Sequence, residues 1–106
     1  MQLKIAEAVW WPVVIEVPAD GGKVQRLEVE GKFKLYRDDE YAELMRRPQG
    51  ELLSEVLQDW RGIKDESDQP LAFSPAALAE LKRIRWALFG FVESFAKLHN
   101  GAGRKN

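Results

Sequence analysis

The chain reads as an α+β protein: an N-terminal antiparallel β-hairpin, or the small sheet it belongs to, packed against three to four α-helices. Two periodicities carry that reading. Between Leu27 and Leu35 apolar and charged residues alternate strictly, as in a strand with one buried face. After Asp38 the apolar residues recur every three or four positions, as in helices that bury one stripe. A length of 106 residues allows one domain, which buries roughly two thirds of its unfolded surface. Its parts are a hairpin over 1–37, short helices over 38–58, a loop over 59–74, helices over 75–100 and a flexible tail over 101–106.

The first strand is "VWWPVVIEV", Val9 to Val17, rich in β-branched and aromatic residues. Pro12 cannot donate to a ladder, so this strand belongs at an edge or carries a bulge there. Asp20-Gly21-Gly22 supplies residues tolerant of positive φ for the turn. On the return strand Leu27, Val29, Phe33 and Leu35 share one face and Glu28, Glu30, Lys32 and Lys34 the other. Gly31 falls on the apolar face, where a bulge or a closely approaching helix would account for it. Such a hairpin needs cover on its apolar face to persist.

Helices supply the cover. "DDEYAELMRR" has acids at its start and Arg46 and Arg47 at its end, the polarity a helix dipole favours, and Pro48 stops it. Leu52, Leu53, Val56, Leu57 and Trp60 stand at helical spacing. Ser74 and Pro75 restart a helix as N-cap and first-turn proline. The pattern then runs to His99, with Asn100-Gly101 as its stop. That is long for one helix, so a break near Arg83–Trp86 or a bend at Gly90 is expected.

The balance of 16 basic and 17 acidic residues, net −1, argues against nucleic-acid binding, which needs a basic footprint. Lys82, Arg83 and Arg85 around Trp86 are too few to change that and read as a solvated helix face. No apolar run approaches the roughly 20 residues that cross a bilayer, so no membrane role is expected. Absence of cysteine removes disulfides, thiolate metal sites and thiol nucleophiles, and fits a reducing cytoplasm. No signal peptide is evident either. Charge is uneven: residues 38–68 hold ten acids and four bases, and residues from 79 onward six bases and two acids. Two solvated faces are the simplest reading, and head-to-tail self-association is compatible with it.

Catalytic groups are missing. His99 is the single histidine and stands in a last helical turn, a structural place. Ser54, Ser67, Ser74 and Ser94 have no base partner in the pattern and no G-x-S-x-G elbow. Asp65, Glu66 and Asp68 are out of phase for a calcium loop and are interrupted by Pro70. No phosphate-binding glycine pattern exists. No catalytic residue, cofactor or metal is expected, and hence no enzyme.

The aromatic residues are more informative. On a wheel of about 100° per residue, Ile84, Leu88, Phe91, Val92 and Phe95 form one stripe, the expected core face. On a continuous helix Trp86 lies about 160° from that stripe and Phe89 about 100°. Exposed aromatics of this kind anchor protein–protein contacts, so Trp86 and Phe89 are the candidate partner-binding residues. A helix break would instead turn them back onto the hairpin.

One stretch combines these features: Trp60-x-Gly62-Ile63, Asp65-Glu66, Pro70-Leu71 and Phe73-Ser74, followed by a leucine helix, a second helix and Arg104-Lys105-Asn106. With the N-terminal hairpin, this order resembles the tail assembly chaperones of long-tailed bacteriophages and prophages over nearly the whole chain. It departs from them in the acidic turn, where Asp65-Glu66-Ser67-Asp68-Gln69 lacks the usual glycine. The resemblance implies a protein of the host cytoplasm that binds the helical tape measure protein and keeps it soluble while the tail tube protein assembles around it. It also implies a longer form made by frameshifting near the end of the reading frame, to which a Lys105-Asn106 codon pair is suited. A small tail-completion or adaptor protein retained in the particle is the alternative. In either case residues 59–74 position the last helices. Trp60 and Ile63 anchor the stretch, its acidic turn stays wet, and Phe73 staples the helix that Ser74 caps.

Overall fold

The computed structural model describes residues 6–101; the tail motif at Arg104-Lys105-Asn106 lies outside them. The predicted α+β class holds. A three-stranded antiparallel sheet in the order β1-β2-β3 carries four helices. Strands β1 (Ala8–Pro18) and β2 (Val24–Lys34) form the hairpin, joined through Asp20–Gly22 with Gly21 at φ 76° and Gly22 at φ 77°. Their ladder runs without a slip from Ala8 opposite Lys34 to Pro18 opposite Val24. Pro12 therefore sits in an unbulged edge strand, the first of its two expected settings.

Helices α1 (Asp38–Leu44) and α2 (Gln49–Val56) follow. Acids fill the first turn of α1, and the Arg37 N–H donates to Glu40 Oε1 at 3.1 Å. The expected continuation of α2 through Leu57 and Trp60 does not occur. Residues Leu57–Arg61 are a third strand, β3, antiparallel to β2, with Arg61 opposite Glu30 and Trp60 opposite Gly31. A register shift between Lys32 and Phe33 then puts Leu57 opposite Phe33. That bulge lets Leu57 and Trp60, three residues apart, both turn into the core. Spacing by three is a helical signature, which is why a bulged strand reads as helix.

Gly31 has neither of its expected explanations. A Cβ there would stand 3.1 Å from the Phe33 ring and 3.2 Å from Leu57 Cδ1, so glycine makes room for core side chains.

The last helical region breaks where expected. Helix α3 (Pro75–Lys82) ends at Arg83, Ile84 is extended at φ −102° and ψ 102°, and α4 runs Arg85–His99. The break takes Ile84 off the core stripe: it is 41% exposed, and Ala87, Phe91, Val92 and Phe95 form the buried face. Phe33 lies at the centre, its ring 6.4 Å from Phe91 and 5.8 Å from Phe95. All three are fully buried, each stabilising the fold by about 1.5–3 kcal/mol.

No break or bend falls at Gly90, which lies inside α4. Its part is contact. A Cβ on Gly90 would lie 2.8 Å from the Val14 carbonyl oxygen and 3.3 Å from Ile15 Cα. Helix propensity alone makes alanine about 1 kcal/mol better than glycine there. The clash is with backbone and cannot swing away, so Gly90→Ala is expected to lower stability by about 2 kcal/mol. Urea unfolding checks the sign.

Candidate functional site

Residues 59–74 assemble as a scaffold. The Trp60 ring is 3% exposed, its Nε1–H donates to the Leu71 carbonyl at 2.8 Å, and Phe73 meets it edge-on at 5.0 Å. Gly62 turns the chain at φ 93°, and the Leu71 N–H donates to the half-buried Ile63 carbonyl at 2.8 Å. Lys64 and Pro70 face each other across the mouth of the loop. Ser74 Oγ accepts from the Ala77 N–H at 3.0 Å as the expected N-cap. Each named residue thus fastens a neighbour, and the loop presents no convergent set of reactive groups.

The acidic turn closes without its glycine through Asp65, whose Oδ1 accepts from the N–H groups of Ser67 at 2.9 Å and Gln69 at 3.0 Å. Asp68 takes the left-handed conformation, φ 62°. The Cβ of alanine is crowded in that conformation and alanine loses the exposed ion pair of Asp68 with Lys64, so Asp68→Ala is expected to lose about 1 kcal/mol. Asp68→Gly should change stability by under about 0.5 kcal/mol, because relief of strain and loss of chain entropy nearly cancel. Parallel thermal unfolding of the two variants checks the ranking.

The aromatic rim is the other expected site. Trp86 is 38% exposed and Phe89 49%. The helix break does turn both toward the hairpin, and they remain open to solvent. With Gly90, Glu93 and Lys97 they form one wall of a groove, and Val14, Glu16, Val24 and Arg26 of the hairpin form the other. Its lining mixes apolar Val14, Val24, Trp86 and Phe89 with two acids, Glu16 and Glu93, and two bases, Arg26 and Lys97. Val14 and Val24 belong to this surface, and the sequence pattern passed over them because they point away from the sheet's core face. The same open face holds Trp10, over which the Arg61 guanidinium lies at 4.0 Å while its Nε donates to Glu30 Oε1 at 2.7 Å.

His99 is structural. Its Nε2 accepts from the Tyr36 N–H at 3.0 Å, which places the ring proton on Nδ1, 3.1 Å from the Phe95 carbonyl. Its ring stacks on Tyr41 at 5.0 Å. Among the described residues no three histidines or acids are grouped to hold a metal ion. No ion pair joins the acidic segment over 38–68 to the basic segment from 79 onward among those residues; their direct polar contacts include Lys82 Nζ to Ser54 Oγ at 2.6 Å and Asn100 Nδ2 to Tyr41 Oη at 3.0 Å.

An acidic cleft between α1 and α2 is lined by Asp39, Glu40, Glu43 and Glu55, with Arg47 held by Glu43 at 2.8 Å. Inside it the Tyr36 hydroxyl is sealed from solvent without a hydrogen-bond partner, although the rest of the side chain is half-buried. Burial first, then the charges of Glu55 and Glu40, push its pKa above the usual 10.0. Removing the orphaned hydroxyl in Tyr36→Phe is expected to stabilise the fold by about 1 kcal/mol in chemical denaturation. Between pH 10.0 and the raised value the folded state keeps a proton that the unfolded state has lost. Stability therefore falls as pH rises through that window, and the variant lacks this part of the decline.

No protein-family model matches the chain, and neither a curated protein nor a solved structure does.

Proposed function

We propose that this chain is a tail assembly chaperone of a long-tailed bacteriophage or prophage, acting in the host cytoplasm to keep the tape measure protein soluble while the tail tube is built. The observation that carries the reading is the exposed pair Trp86 and Phe89 on a groove lined by both apolar and charged side chains. A groove of that kind suits the apolar stripe of a client helix, with salt-sensitive contacts along both sides. Two aromatics brought fully out of water contribute several kcal/mol, enough to hold an otherwise insoluble helical segment reversibly. The order of residues from Trp60 to Ser74 supports the same reading, because it fixes α3 and α4 and so the direction in which the rim faces.

Co-expression with the long helix-rich protein encoded just downstream tests the proposal. The client should be soluble and co-purify with the wild-type chain, and should aggregate with a folded Trp86→Ala/Phe89→Ala variant. Loss of two anchors predicts at least about a hundredfold weaker capture. A client that is equally insoluble with and without the wild-type chain sinks the reading.

A further inference from the structure

Helix α4 ends on a pair of residues with a chemistry of its own. Asn100 is followed by Gly101, whose missing side chain leaves its backbone nitrogen unshielded toward the asparagine. Asn100 is exposed, so water reaches it, yet its amide is tied down. Its Nδ2 donates to the Ala96 carbonyl at 2.8 Å and to Tyr41 Oη at 3.0 Å. A carbonyl only accepts, so the contact with Ala96 fixes which side-chain atom is the nitrogen. The Asn100 N–H donates to the same carbonyl at 2.9 Å.

The backbone is also turned away from reaction. Asn100 has φ −100° and ψ 14°. With ψ near zero the Gly101 nitrogen eclipses the Asn100 nitrogen and lies away from Cβ. Reaching the side chain takes a large rotation about the Asn100 Cα–C bond. That rotation swings Gly101, at φ 73°, out of the left-handed position that closes the helix.

We propose that Asn100 is a site of spontaneous covalent modification, held in check by the end of α4 and its bond to Tyr41. When the last turn opens, the Gly101 amide nitrogen attacks Asn100 Cγ. The N–Cγ bond forms, the Cγ–Nδ2 bond breaks, and Nδ2 leaves as ammonia with the proton that the Gly101 nitrogen gives up. Water then adds to either carbonyl of the cyclic imide and opens it to aspartate or isoaspartate. No atom changes oxidation state, and water is the only co-reactant. The product sets a carboxylate beside the Ala96 carbonyl, where an amide donated, at the negative end of α4.

Incubation at neutral pH followed by tryptic mapping tests the proposal. Asn100 is the only amide side chain between Leu98 and Arg104, so the mass of that peptide reports this site alone. The folded chain should convert at least about tenfold more slowly than the same chain in urea, because conversion requires local opening. In urea Gly101→Ala should slow conversion severalfold, which identifies the attacking nitrogen. In buffer Tyr41→Phe keeps the ring that stacks on His99 and removes one acceptor, and should speed conversion about threefold. Far-ultraviolet circular dichroism confirms that this variant is folded. Equal rates for the wild-type chain in buffer and in urea, conversion in urea undiminished by Gly101→Ala, or a rate in buffer that Tyr41→Phe leaves unchanged would each overturn the proposal.

Discussion

Helix α4 can lie against β1 because Gly90 has no side chain to hold it off the Val14 carbonyl. A larger residue would lift the helix from the strand along its length, and the ring contacts from Phe91 and Phe95 to Phe33 would open with it. The same approach covers the middle of an edge strand that has already lost two of its outward donors to Pro12 and Pro18. It also decides what the helix can present. Positions 86 and 89 stand on the flank that overhangs the strand, so they cannot reach the core and instead border the open face of the hairpin. Core packing and exposed rim are consequences of one contact.

Much of this was legible from periodicity. The hairpin, its glycine turn and the Ser74 cap each have a local cause written in adjacent residues, and the break before Trp86 was signalled by the length of the helical run. What was not legible depended on partners far along the chain. Leu57 and Trp60 look helical because a bulge against Lys32–Phe33 gives a strand the spacing of a helix. Gly90 looks like a bend and is a packing contact with a strand more than seventy residues earlier. Gly31 looks like a bulge and is space for the ring two residues on. Glycine states what is missing at a position; which neighbour uses the space is a tertiary fact.

The candidate site divides in the same way. Trp86 and Phe89 were visible as a surplus over what the core stripe could absorb. Their companions Val14 and Val24 were not, because β1 is apolar on both faces and an alternating pattern singles out neither. Residues 59–74 were visible as an unusual composition, and their atoms turn inward: an indole N–H onto a carbonyl, a serine onto a helix end, an aspartate onto its own turn. A segment can be distinctive because the fold needs it. Here the distinctive loop is scaffold, and the surface proposed to face a partner is built around apolar residues left uncovered.

The distal hairpin is one wall of that surface. The molecule measures 52 × 34 × 23 Å, and β1 and β2 run 11 residues each, longer than the helices can cover. Toward the turn the strands hold each other with little core beneath them, and an isolated two-stranded ribbon is marginal in water. Ordering it has an entropic cost that any ligand gripping it must meet. Arg26 stands at the junction: its side chain lines the groove beside Trp86 and Phe89, and its backbone belongs to β2. A partner held in the proposed groove would therefore have to order this strand as well, at an entropic cost set by the distal hairpin.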